Sequence, residues 1–106
     1  MSVYSSQLFA GTVSAGTTTI FTPSDTETCI VRDIELYGNM SSSTQVAFGV
    51  GRSGLVHAYF FFQNPLEPGA WHQWQGRVVL AAGDSLLSIA GAAGATAAIS
   101  GYLLVH

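Results

Sequence analysis

Apolar residues recur along this chain with a period of two, and that excludes most folds at once. Val46, Phe48 and Val50 alternate with Gln45, Ala47 and Gly49, the pattern of a strand whose large side chains share one face. Strand-like stretches return at about the eight-to-twelve-residue spacing of an antiparallel sandwich. They cover residues 6–13, 17–22, 28–37, 45–50, 55–62, 70–80, 85–90 and 95–105. Turn chemistry separates them: Pro23-Ser24-Asp25-Thr26, Gly38-Asn39 with Ser41-Ser42-Ser43, Gly51-Arg52-Ser53-Gly54, and Ala82-Gly83-Asp84. Pro68-Gly69 suits the centre of a type II turn, where proline sets the first φ and glycine takes the positive second one. The Ala-rich run 90–98 has helical propensity, but Gly91, Gly94, Thr96 and Ile99 set it against a helix. The expected fold is all-β: one antiparallel β-sandwich of jelly-roll type with about eight strands, spanning residues 1–106 as a single domain.

The expected core contains Phe21, Ile34, Phe48, Val50, Phe60, Trp74, Leu86, Ile89 and Ile99. Two strands do not fit simple alternation. In 28–37, Ile30, Ile34 and Leu36 share a face with Arg32, a conflict that a bulge or an edge position would relieve. In 55–62 both faces are apolar, with Leu55, Tyr59 and Phe61 on one and Val56, Phe60 and Phe62 on the other. A sheet in a two-layer sandwich has one inner side, so one of those faces needs another cover.

Charge points to the same need. Charged residues are 8% of the 106, against about 25% in an ordinary soluble protein. There is no lysine, and Arg32, Arg52 and Arg77 are the only arginines. A surface so poor in charge favours association, and interface cores are depleted in lysine and acids. The expectation is a homo-oligomer, with Leu55, His57, Tyr59, Phe61 and Trp71 as candidate interface residues. Missing lysines also remove a common guard against edge-to-edge strand pairing.

Other function classes are weaker. A net charge of -3 with three scattered arginines does not suit nucleic acid. No apolar run is long enough for a membrane-spanning helix, and the first residues carry no signal-peptide pattern. Cys29 is the only cysteine, so it forms no intrachain disulfide and reads as a packing residue. His57, His72 and His106, with Glu67, invite a metal, but His57 has Tyr59 two residues on, where a cupin-type site needs a second histidine. No Gly-x-Ser-x-Gly elbow occurs. Asp33 and Glu35 share a strand face, where exposed carboxylates are ordinarily solvated rather than catalytic. No enzyme activity, metal or cofactor is expected. Trp71 and Trp74, three apart, belong on opposite faces. Trp74 goes inward with Val78 and Leu80, and Trp71 outward with Gln73 and Gln75. An outward tryptophan beside amides can anchor an interface or stack on a sugar, with Tyr37 and Tyr59 as further candidates for the second role.

The segments Leu66-Glu67-Pro68-Gly69, Trp74-Gln75-Gly76-Arg77-Val78-Val79-Leu80 and Ala82-Gly83-Asp84-Ser85-Leu86 carry a resemblance. So does Thr17-Thr18-Thr19-Ile20-Phe21-Thr22-Pro23 leading into Ile30-Val31-Arg32-Asp33-Ile34. Together they resemble small β-sandwich proteins encoded among the structural genes of tailed bacteriophages. The likeness covers most of the chain from Thr17 onward. It departs at Pro23-Ser24-Asp25, where such sequences often have Pro-Ala-Gly. The resemblance implies a virion part, either a capsid decoration or head-fibre protein or a tail accessory or fibre protein. That part would be made in the host cytoplasm, often trimeric, and docked on other virion proteins. It supplies no catalytic residues. The alternative function is a carbohydrate-binding module that holds a host-surface glycan on exposed aromatics such as Trp71.

Overall fold

In the computed structural model, which describes residues 2–106, the chain forms eight strands and no helix. They are β1 (Ser2–Thr12), β2 (Gly16–Phe21), β3 (Glu27–Tyr37), β4 (Thr44–Arg52), β5 (Leu55–Leu66), β6 (Trp71–Leu80), β7 (Ser85–Ala90) and β8 (Thr96–Val105). The Ala-rich run bends at residues 91–93 and then joins β8.

Two four-stranded antiparallel sheets form, in the orders β1-β8-β3-β6 and β2-β7-β4-β5. We call them the first and second sheet. The hairpin-like pairs β1–β8, β2–β7, β3–β6 and β4–β5 nest inside one another and alternate between the sheets. That nesting is the jelly-roll topology expected from the turn spacing.

The turns behave as their residues require. Ser53 and Gly54 both have positive φ, 54° and 76°, as the two-residue loop between β4 and β5 demands. Gly69 has φ 79°, and the amide of Ala70 donates to the carbonyl of Glu67 at 3.1 Å. That is the type II turn foreseen at Pro68-Gly69. At the same end of the sandwich as the β4–β5 turn, Arg52 Nε donates to Asp84 Oδ1 at 2.9 Å, tying that hairpin to the β6–β7 turn.

Between the sheets lie Val31, Ile34, Leu36, Val46, Phe48, Leu66, Leu80, Leu86 and Ile99, all fully buried. Phe21, Val50, Phe60 and Trp74 pack against this core while half-buried. Phe60 and Trp74 meet across the sandwich with ring centroids 4.9 Å apart. Each fully buried aliphatic or aromatic side chain contributes about 1.5–3 kcal/mol. Ile89 corrects the expected core. It pairs with Ala47 across β7 and β4, on the face turned away from the other sheet.

The Arg32 conflict is resolved by a bulge, not by an edge, since β3 runs between β8 and β6. The pairing register slips between Val31 and Asp33 against both neighbours. Before the slip Cys29 and Val31 point inward, and after it Ile34 and Leu36 do. Ile30 is thereby moved to the outside, opposite Val79 and Tyr102. One extra residue inverts the alternation.

Candidate functional site

No enclosed cavity is present among the described residues, and the largest exposed surfaces are the outer faces of the two sheets. Residues paired directly across antiparallel strands project to the same face, so the register defines each surface.

The outer face of the second sheet is built from three rungs. Ala47 pairs with Phe62 and Ile89, Gly49 with Tyr59 and Leu87, and Gly51 with Val56 and Ser85. None of these residues is charged. Gly49 and Gly51 leave a trough along β4. A Cβ at Gly49 would sit 2.7 Å from Val56 Cγ1, and one at Gly51 would sit 2.8 Å from Leu87 Cδ1. The backbone carbonyls of Leu55 and Ala58, with the side chains of Val56 and Leu87, therefore occupy the space the glycines vacate. Leu87 is fully buried although it faces away from the core. Beside the trough stand Tyr59, 56% exposed, and Phe62, 48% exposed. Their rings meet edge to face at 6.2 Å.

A bulge produces this arrangement too. Phe48 pairs with Phe61, but Gly49 pairs with Tyr59, so Phe60 is the extra residue. The bulge lets Phe60 and Phe61 both face inward, Phe61 stacking on Phe48 at 6.1 Å. Tyr59 and Phe62, three apart, both face outward. The expected division of β5 is corrected accordingly. Phe61 is only 8% exposed and belongs to the core, not to an interface, while Phe62 takes an outward place. The candidate interface residues do not form one patch. Leu55 and His57 are exposed near the β4–β5 turn, Tyr59 is on the second sheet's outer face, and Trp71 is on the first sheet.

β5 is an edge strand, and its register slips three times: at Phe60, at His57, and around Asn64-Pro65. Bulges disrupt the straight row of backbone groups that another strand would need. They supply the guard against edge pairing that the missing lysines do not.

The first sheet's outer face is different. Its rungs run across all four strands: Trp71–Tyr37–Thr96–Thr12, then Gln73–Glu35–Ala98–Ala10, then Gln75–Asp33–Ser100–Gln7 and, past the Arg32 bulge, the apolar Val79–Ile30–Tyr102–Ser5. Trp71 is 60% exposed and Tyr37 45% exposed. Gln73 Nε2 donates to Asp33 Oδ1 at a long 3.4 Å. The outward placing of Trp71, Gln73 and Gln75, and the inward placing of Trp74, agree with the offset of three. Tyr37 joins Trp71, but Tyr59 lies on the opposite side of the sandwich.

The histidines are dispersed. His57 lies in the β5 bulge and His72 pairs with Leu36 on β3. His106 Nε2 lies 2.8 Å from Thr28 Oγ1, on the open surface. Among the described residues no three His, Cys, Asp or Glu side chains approach closely enough to hold a metal ion. Cys29 is fully buried, and burial, aided by the negative charge of Glu27, pushes its thiol up to about 11. A thiol held neutral in this way is a poor nucleophile at neutral pH.

The chain matches no protein-family model and no curated protein.

Proposed function

We propose that this chain is a non-catalytic structural subunit of a bacteriophage virion, of the capsid-decoration, head-fibre or tail-accessory kind. It self-assembles, as a trimer, and docks on other virion proteins. One observation carries the self-assembly: the uncharged, aromatic outer face of the second sheet. A sandwich normally buries one side of each sheet. Here the second side also has a buried leucine and two large, half-exposed aromatic rings. Aromatic residues without nearby charge are the composition of interface centres. The virion setting comes from the phage-like segments around Thr17–Pro23, Leu66–Gly69 and Trp74–Leu86.

Light scattering behind a sizing column tests the assembly, because it reads mass independently of shape. A trimer gives about three times the 11.1 kDa of one chain. A clean monomer mass at micromolar concentration removes self-assembly. Mass spectrometry of purified virions tests the setting, which fails if peptides of this chain are missing from intact particles.

A further inference from the structure

We propose that the outer face of the first sheet is a binding platform for neutral carbohydrate, with Trp71 and Tyr37 as the stacking surface and Glu35 and Gln73 as the hydroxyl-reading groups. The four side chains occupy two successive rungs of β3 and β6. Along a strand, residues two apart on one face are separated by about 7 Å, and neighbouring strands by about 4.8 Å. The quartet thus covers an area suited to one sugar ring. The polar third rung, Gln75–Asp33–Ser100, separates the quartet from Arg32 and Arg77.

The chemistry of the quartet is complementary to a pyranose. One face of such a ring is lined by C–H bonds, which lie well on the electron-rich face of an exposed indole or phenol. Its rim carries hydroxyls, each a donor and an acceptor. The Glu35 carboxylate accepts two or more hydrogen bonds, and the Gln73 amide both donates and accepts. Both residues are exposed, and both sit one rung from the aromatic pair. The remaining residues of these rungs, Thr96, Ala98, Thr12 and Ala10, are small. They leave a low floor beside the rings, over which a chain of sugars can continue.

Charge selects the ligand class. Glu35 and Asp33 lie on this face, and the arginines of this sheet, Arg32 and Arg77, lie past the third rung from Trp71. A phosphate, sulfate or uronate held on the rings would meet a carboxylate and no cation. Base stacking by single-stranded nucleic acid fails on the same ground, since that binding relies on basic neighbours.

An open face buries little of its ligand, so a single site binds weakly. Self-association through the second sheet would leave every copy's platform facing outward. Linked sites of this kind gain about 100-fold to 10,000-fold in apparent affinity on a multivalent surface. Monovalent binding does not rest on the assembly proposed above, and the experiment separates the two.

The test uses the full chain. Its first arm is an array of immobilised neutral glycans bearing terminal glucose, galactose, mannose and N-acetylglucosamine, alongside sialylated, sulfated and uronate glycans. Its second arm is a fluorescence titration of a hit oligosaccharide against a Trp74→Phe variant, in which Trp71 is the only indole. Retention on neutral but not acidic glycans is expected, with a blue shift of Trp71 emission. Trp71→Ala should weaken binding by about tenfold or more, the loss of a hot-spot aromatic. Glu35→Gln should weaken it by a few-fold without opening the site to acidic glycans. Trp71 is largely exposed, so its removal leaves the core intact, and an unchanged melting temperature verifies that. In a Tyr59→Glu, Phe62→Glu double variant the array signal falls while the titration is unchanged. If no glycan is retained and no emission shift occurs, the proposal is overturned. It is equally overturned if Trp71→Ala binds as well as the parent chain, if acidic glycans or oligonucleotides are preferred, or if Trp71→Ala abolishes only protein contacts.

Discussion

The two outer faces of this sandwich are made from strands of similar length and pairing, yet the half of the first that carries Trp71 differs in chemistry from the second. From Trp71 to the Arg32 bulge the first sheet shows carboxylates, amides, threonines and one aromatic pair; past the bulge it shows Val79, Ile30 and Tyr102. The second shows no charge on its three outward rungs, and two glycines sunk beneath Leu87 and Val56. A face built for water keeps its polar groups free. The second face lacks such groups on those rungs and fills its own hollows, the composition on which the proposed association rests. The difference shows that hydrophobic content alone does not say which face of a sheet is apolar; the register of the strands does.

The sharpest way to break the comparison is to exchange the roles of neighbouring phenylalanines in β5. Phe61→Ala removes a ring stacked on Phe48 and should cost about 4 kcal/mol in a urea melt. Phe62→Ala, one residue on but outside, should cost less than about 1 kcal/mol when measured on dissociated chains. Equal losses would show that the bulge at Phe60 does not sort the strand.

Next in size is a titration on the inner side of β3. The Cys29 thiol is raised from 9.0 to about 11 in the folded chain. Between those values the unfolded chain has lost a proton that the folded chain keeps, so stability falls as pH rises. The loss should be on the order of 2 kcal/mol by pH 11, and negligible by about one pH unit below the unfolded value of 9.0. Cys29→Ala should flatten that alkaline decline relative to the parent. A parallel decline in both proteins would assign it to other groups.

Charge placed on the two faces sharpens the contrast further. Tyr59→Glu with Phe62→Glu should reduce the scattering mass to that of one chain and leave monomer stability within about 1 kcal/mol. Gln73→Glu on the first sheet should leave the mass unchanged. A mass that drops with Gln73→Glu and not with the pair would move the association surface to the other sheet.

The smallest effect belongs to the Arg52–Asp84 pair at the end of the sandwich, which belongs to neither face. Arg52 is exposed there, so Arg52→Ala should cost no more than about 0.5 kcal/mol, shrinking as salt is added. A loss several times larger would mean that this pair holds the two turns in register.

Much of the fold was legible in the residues. Pro68-Gly69 and Ser53-Gly54 announce their turns because few residues adopt positive φ without strain. Trp74 inward and Trp71 outward follow from strand parity, as does the common face of Asp33 and Glu35. Leu87 was not legible in the same way. Its burial depends on Gly49 and Gly51, far away in sequence, lying on the next strand. Tyr37 and Trp71 belong together for a reason of the same kind, since only the pairing of β3 with β6 makes them neighbours. Val56 and Phe62 were recognised as apolar, but nothing local says that they share a face with Tyr59.

Sequence by itself determined the period of two, the turn positions, the absence of helix and the inward tryptophan. Each of these depends on the local geometry of a few residues. Tertiary structure decided the phase of the alternation. In β3 the slip at Arg32 hands the core from odd to even residues, and in β5 the extra Phe60 sends two consecutive phenylalanines inward. A period-two pattern keeps its phase only until a residue is inserted into the ladder. Where that insertion falls is set by the partner strand's hydrogen bonds and by the core that must be filled, and a strand read alone contains neither.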